Sequence, residues 1–380
     1  MSRDPRAVPE LEPADAWRRA AAGDAVLVDV REPDERAGGH AQRSIGIPRG
    51  ALAERIGDVA APDREVLLIC AGGQRSLLAA ATLRDLGYAR VASVRGGFVR
   101  WRAEGLPVER GALDAADAER YARHLVLPEV GAAGQAKLAG ARVALVGAGG
   151  LGSPVGLYLA AAGIGQLTLI DDDRVERSNL QRQVLHRDDR VGVPKVESAR
   201  ATLAALNPSV RVVAVTERLR ASNVEELLRG HDVVVDGADN FSARYLVDAA
   251  CRRLRTPWVY GAVHRFTGQA SAFDPRDAAS PCYRCLFPQP PSAAEAPNCS
   301  EAGVLGVLPG IVGLLQANEV LKLVLGIGTP LVGRLLCHDA LAATFRELRL
   351  PRDPACPGCG PDAVFDGYED IVQLCAAPPP

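Results

Sequence analysis

The strongest constraint on this chain is a glycine loop set between a strand and a helix. Arg142-Val-Ala-Leu-Val146 is a short apolar run of the buried-strand kind. It leads straight into Gly147-Ala-Gly-Gly-Leu-Gly152 and an alanine-rich helical stretch ending at Ala162. In that setting Gly147, Gly149, Gly150 and Gly152 let the backbone approach a phosphate closely, at the positive end of a helix. The next strand, Gln166 to Ile170, delivers Asp171, an acid placed for ribose hydroxyls. A helix opened by Pro194 and running through Leu206 comes next, then strands over Val210–Val215 and Asp232–Val235. This alternation predicts an α/β fold with a mostly parallel, doubly wound, Rossmann-like sheet. Taken alone, the loop suits a nicotinamide enzyme as well as an ATP enzyme.

The residues after Asp171 separate the two. The run Asp171-Asp-Asp-Arg-Val-Glu-Arg-Ser-Asn-Leu-Gln-Arg-Gln183 crowds amides and arginine just beyond the ribose acid. Of 44 basic residues only Lys137, Lys195 and Lys322 are lysine. A lysine kept against that bias is a candidate for work arginine cannot do. Lys195 stands 13 residues after Arg182, and Asp236-Gly-Ala-Asp239-Asn240 comes after another strand. Arg182 and Lys195 suit a triphosphate and Asp239 suits Mg²⁺, whereas hydride transfer has no use for the cationic cluster. The bland alternative makes each a helix cap or a surface ion pair. Against it, all fall at carboxyl ends of parallel strands, where such sheets bind ligands.

A second glycine-punctuated pattern precedes this one and runs to about Val108. Ala25–Val30, Glu65–Ile69 and Arg90–Val94 read as strands, and Ser76–Leu86 as a helix stopped by Gly87. Cys70-Ala-Gly-Gly-Gln-Arg-Ser76 joins a strand to a helix. Loop amides and the helix dipole converge there, Gly72 and Gly73 let the loop curl, and Arg75 adds charge. Cys70 is therefore expected as a stabilised thiolate, with a buried structural cysteine as the alternative. Asp29-Val-Arg-Glu-Pro33, Gly39-His40, Ile47-Pro48 and Gly96-Gly97-Phe98 surround the loop. In this order the residues resemble a single rhodanese domain over 10–108, which implies that Cys70 carries a persulfide. Ala71 departs from the commonest loop, which leaves donor preference open.

Cys282-Tyr-Arg-Cys285 and Cys356-Pro-Gly-Cys359 read as the two halves of a tetrahedral four-cysteine site for structural Zn²⁺. With 70 residues between Cys285 and Cys356, such a site clips distant segments together.

Arg120-Tyr-x-Arg123, the glycine loop, Ser178 to Arg182, Gly192-x-Pro-Lys195, Asp239-Asn240, both CxxC pairs and Cys299-x-Glu-Ala-Gly303 together resemble the E1-like MoeB/ThiF activating enzymes. The resemblance covers residues 115–362. It implies ATP·Mg held by Gly150, Asp171, Ser178, Asn179, Leu180, Gln181, Arg182, Lys195, Asp239 and Asn240. It also implies a homodimer in which Arg123 reaches the partner's ATP. The implied reaction is adenylation of the C-terminal Gly-Gly of a ubiquitin-like sulfur-carrier protein, with the molybdopterin synthase small subunit the first candidate. A persulfide donor would charge Cys70, whose sulfur would then give a thiocarboxylate. Carriers for thiamine, cysteine, siderophore or tRNA thiolation are alternatives. Cys299 is a candidate acyl or thioester cysteine, and a loop cysteine without a role is the other reading.

Two further classes remain open: an NAD-dependent oxidoreductase, separable by direct ATP titration, and a scaffold that exchanges sulfur without ATP. A net charge of -2 gives no basic footprint for nucleic acid. The charged start has no apolar core of a secretory signal. Val304–Ile327, interrupted by Gln316, Asn318, Glu319 and Lys322, reads as a buried helix and not a membrane span. A cytoplasmic protein is expected, and nine cysteines are too dilute for a disulfide scaffold. Asp117–Val130 reads as one helix, Glu109–Leu113 as a linker and 363–380 as a C-terminal tail, frayed over Asp366–Pro380.

Overall fold

The computed structural model describes residues 8–109, 115–290 and 303–371. The chain divides into two compact units, Met1–Ala136 and Lys137–Pro380.

The first unit runs β1 (Glu10–Leu11), α1 (Pro13–Ala22), β2 (Ala25–Asp29), α2 (Pro33–Ala37), β3 (His40–Ala41), β4 (Ile45–Gly46) and α3 (Leu52–Arg55). It continues with β5 (Glu65–Ile69), α4 (Gln74–Asp85), β6 (Val91–Val94), α5 (Gly97–Ala103), β7 (Val108–Glu109), α6 (Ala115–Arg120) and α7 (Ala122–Leu125). Its parallel sheet has the order β1-β6-β5-β2-β4. The central strand β5 is buried along its whole length, which explains its unbroken apolar sequence. Glu109, read as linker, pairs with His40 between β7 and β3. The stretch 117–130 is not one helix. It breaks at Tyr121, which is buried and stacks on His124 at 6.4 Å. Helices α6 and α7, grouped by sequence with the second segment, pack against α2 of this unit.

Helix α8 (Gly131–Gly140) crosses the unit boundary. The second unit then contains β8 (Arg142–Val146), α9 (Gly152–Ala162), β9 (Gln166–Ile170), α10 (Lys195–Leu206), β10 (Arg211–Val215), α11 (Val224–Leu228), β11 (Val233–Asp236) and α12 (Phe241–Leu254). After these come β12 (Trp258–His264), β13 (Thr267–Phe273), α13 (Tyr283–Leu286), α14 (Leu308–Leu325), β14 (Arg334–Asp339) and β15 (Thr344–Arg349). The eight-stranded sheet has the order β10-β9-β8-β11-β12-β13-β14-β15. It is parallel as far as β12 and antiparallel beyond. The chain moves outward from β8 to β10, then returns to the other side of β8 with β11. The order in which strands are added therefore reverses between the parallel neighbours β8 and β11, the point where such sheets bind ligands.

Helix α14 is long and apolar enough to cross a membrane, yet it packs on α9, β12 and β13. Gly313 allows this: a Cβ there would lie 2.6 Å from the Leu151 carbonyl oxygen. Three polar residues of α14, Gln316, Glu319 and Lys322, bind backbone. Gln316 Nε2 donates to the Asp236 carbonyl at 2.6 Å, and Glu319 accepts from Leu331 N at 2.7 Å. Two of the three lysines also serve backbone carbonyls, Lys137 that of Leu325 at 2.8 Å and Lys322 that of Thr329 at 2.9 Å. The expected fraying of Asp366–Pro380 does not hold up to residue 371. Tyr368 Oη donates to Glu225 at 2.7 Å, Arg253 stacks on Phe365 at 4.3 Å, and Ala221 N donates to Asp370 at 2.9 Å.

Candidate functional site: a glycine loop, a cysteine loop and four clustered thiols

The glycine loop leaves β8 at the reversal point. Gly147 has φ +92° and donates to Ile170 O at 2.8 Å. A Cβ on it would lie 2.6 Å from the Gly237 carbonyl oxygen, so the ends of β8 and β11 close on each other only with glycine there. Gly152 is packed still more tightly, against the Gly147 carbonyl. Gln183 and Arg182 side chains fill the space beside Gly149 and Gly150.

Asp171 closes β9 and faces this loop. Its two carboxylate oxygens accept from Ala148 N and Asp173 N, each at 2.8 Å. Burial pushes its carboxyl up, while the Lys195 ammonium and those two amides oppose the shift. Lys195 opens α10 and binds Asp173 twice, through its amide at 2.9 Å and its ammonium at 2.7 Å. Its side chain is only 7% exposed, against 67% for Asp173. The Lys195 charge is thus fixed and directed into the site. Arg182 donates to Asn179 at 3.1 Å, and Ser178 and Asn179 share Glu176, so 176–182 is one hydrogen-bonded turn. Gln181 lies against Gly306, and Leu180 is half-buried. Asn240 caps α12, accepting from Ala243 N at 2.9 Å, and it lies 3.5 Å from Asp239.

Three contributors escaped the sequence reading. Asp236 is fully buried in an ion pair with Arg244 at 2.9 Å and also accepts from Ala238 N. Burial pushes the Asp236 carboxyl up and the guanidinium opposes it. This pair fixes the chain just before Asp239. His186 binds the glycine loop itself. A strand-end acid with an arginine eight residues later was the available signal for the pair; His186 had none.

In the first unit Cys70 is buried at the end of β5. Gly73 N donates to its sulfur at 3.1 Å, Ser76 Oγ lies 3.3 Å away, and Ser93 donates to Ser76 from behind at 2.8 Å. Gly73, at φ +99°, is the N-cap of α4 and brings no side-chain acceptor, so the sulfur faces the helix start. Phe98 N and Val99 N, in the first turn of α5, take the Cys70 and Ala71 carbonyls at 2.7 and 3.0 Å. The carbonyls are thereby turned away from the sulfur. Arg75 is held by Glu35 in two bonds of 2.6 and 2.7 Å, which keep its guanidinium charged. Arg31 pairs with Asp29 at 2.7 Å and stacks on Phe98 at 4.1 Å, joining two of the sequence motifs.

The sulfurs of Cys282, Cys285, Cys356 and Cys359 lie within 4.8 Å of one another, with neighbours at 3.4, 3.5 and 4.0 Å. A tetrahedral metal with bonds of about 2.3 Å to sulfur has edges of about 3.8 Å, so the cluster has the right size. Amides of Asp353 and Gly358 already donate to Cys285 and Cys356 at 3.4 and 3.3 Å. Burial pushes the Cys285 thiol up to about 11, a state that a bound cation would reverse. Cys70 and Arg123 belong to one unit, and the glycine loop, Lys195, Asp239 and the four thiols to the other. Cys299 lies outside the described residues.

The ThiF family model matches residues 121–358, which contain the glycine loop, Asp171, Lys195 and three of the four clustered cysteines, Cys359 lying one residue beyond. This chain belongs to the ThiF family. A rhodanese-like domain matches residues 12–104, around Cys70. The SAMP-activating enzyme E1 of Haloferax volcanii is 52% identical over 266 residues, covering 70% of this chain and 97% of that protein. The sulfur carrier protein adenylyltransferase of Thermus thermophilus is 51% identical, covering 68% and 96%. The probable adenylyltransferase/sulfurtransferase MoeZ of Mycobacterium tuberculosis is 45% identical, covering 70% and 68%. Among solved structures, E. coli MccB with MccA-N7isoASN superposes with a TM-score of 0.57 at 25% identity, over 63% of this chain and 75% of that one. The ThiF domain thus carries its nucleotide loop at the sheet reversal, and the parallel sheet with its antiparallel extension is the ThiF arrangement in this chain.

Proposed function

We propose that this ThiF-family enzyme adenylates the C-terminal Gly-Gly carboxylate of a ubiquitin-like sulfur-carrier protein and that Cys70 supplies sulfur to the product. The observation that carries this reading is the joint presence, in one chain, of a glycine-loop crevice with a buried lysine and a helix-start cradle around a cysteine. The names of the Thermus and Mycobacterium relatives support both halves.

A free carboxylate resists nucleophiles. In the first step a carboxylate oxygen attacks the α-phosphorus of ATP, pyrophosphate leaves, and an acyl-adenylate forms. Lys195 and Arg182 stabilise charge building on the phosphates, Asp171 holds the ribose, and Asp239 would hold Mg²⁺, which would supply further neutralisation of phosphate charge. In the second step the outer sulfur of a Cys70 persulfide attacks the acyl carbon and AMP leaves, giving an acyl disulfide. Attack on the inner sulfur by a thiol, either Cys299 or a cellular one, then releases the thiocarboxylate. A persulfide reaches about 2 Å beyond the parent sulfur, which suits a cysteine as buried as Cys70.

The finer assignments share this standing: 10–108 as the sulfurtransferase domain, 115–362 as the adenylyltransferase domain, Zn²⁺ in the four-cysteine cluster, a homodimer with Arg123 acting across it, and the cytoplasm as the location. The molybdopterin synthase small subunit is the first carrier to try. Carrier-dependent ATP–pyrophosphate exchange tests the first step, and intact-mass detection of carrier thiocarboxylate tests the second. Exchange that proceeds equally without any Gly-Gly carrier would overturn the reading.

A further inference from the structure

We propose that His186 is a positioning residue of the nucleotide site, holding the Ala148 carbonyl so that the glycine loop keeps its phosphate-facing shape. The inference rests on the ATP-binding reading above. Ala148 is gripped from both sides. Its amide donates to Asp171 at 2.8 Å, and its carbonyl accepts from His186 Nε2 at 2.9 Å. A trans peptide is planar, with its C=O and N–H pointing opposite ways. Pinning the Ala148 oxygen therefore fixes the direction of the Gly149 N–H. Gly149 and Gly150 carry no side chains to restrict their own backbone, so the loop needs this outside hold to be ordered before nucleotide arrives.

The ring can hold in only one way. A carbonyl only accepts, so Nε2 carries the hydrogen. Nδ1 lies 3.1 Å from Ser198 Oγ, which donates to it. Histidine and serine are both buried, and burial, then the Lys195 and Arg190 charges, holds the imidazole below its usual range and neutral. Ser198 stands one turn along α10 from Lys195. The same side chain thus ties the loop to the helix that carries the lysine.

The test measures ATP·Mg²⁺ affinity of the full chain by calorimetry, with thermal midpoints of the ligand-free proteins. A glutamine amide reaches the Nε2 position, whereas an asparagine amide reaches only the Nδ1 position. We expect His186→Ala and His186→Asn to weaken ATP about tenfold, and His186→Gln to recover to within about threefold of wild type, the range of one net hydrogen bond. Equal weakening by Gln and Asn, or weakening that tracks the loss of thermal midpoint in every variant, would make the role merely structural and overturn the inference. Unchanged affinity in all variants would also overturn it while leaving the adenylation reading in place. A wild-type chain that does not bind ATP would remove both.

Discussion

Asp173 holds Lys195 by two bonds while the lysine side chain stays almost wholly buried, so its charge is set before any ligand binds. Lys195→Ala, and likewise Asp239→Ala, should lower carrier-dependent ATP–pyrophosphate exchange roughly 10²–10³-fold with the fold retained; circular dichroism alongside the exchange assay checks both parts. Cys70→Ala should abolish thiocarboxylate formation yet leave exchange near wild type, so that acyl-adenylate accumulates and is seen by mass spectrometry. The His186 imidazole gives a pH signature. Its folded-state pKa lies below the unfolded one, so the unfolded chain binds the extra proton first, and this residue's contribution to stability is lost as pH falls below about 6.5. The thermal midpoint of His186→Gln should therefore gain on wild type between pH 7.5 and pH 5.5. Residues with motif spacing were legible in the sequence: Cys70, Asp171, Lys195 and the CxxC pairs. His186, Asp173 and the Asp236–Arg244 pair act through contacts that only the fold brings together; of these only the pair left a trace in spacing, an arginine eight residues after a strand-end acid.

At the scale of elements, the buried parallel strands were legible because burial on both faces demands uninterrupted apolar residues, as in β5, β8 and β9. The antiparallel half was not. β12 and β13 mix glycine, tyrosine and histidine, and all six residues of β15 are exposed, so neither alternation nor a continuous apolar run marks them. The break at Tyr121 was hidden because helical spacing continues across it while the tyrosine turns inward. Gly97 illustrates an element joint that tolerates no side chain. At φ +58°, its added Cβ would collide with the Cys70 and Ala71 carbonyls that α5 holds. Gly97→Ala should cost about 1–3 kcal/mol and slow sulfur transfer, read by thermal melting and by persulfide turnover; an unchanged melt would show that the joint relaxes freely.

For the whole molecule, the four thiols join segments far apart in sequence, since Cys282 meets Cys356 across 74 positions. We expect about one zinc per chain, and a lower thermal midpoint after strong chelation or in Cys282→Ser, measured by metal analysis and calorimetry. The cluster also has a consequence in time. Between its halves the chain must first complete α14 and the β14–β15 hairpin, and closing so long a loop costs more entropy than any step within it. Four sulfurs scattered on an unformed chain offer no cage, so a metal would act as a latch on a house already standing. Refolding without metal should recover most of the second unit's β-sheet signal quickly. Zinc added afterwards should bring a separate, later change at Trp258, whose indole lies 5.8 Å from the ring of Tyr283 next to the latch.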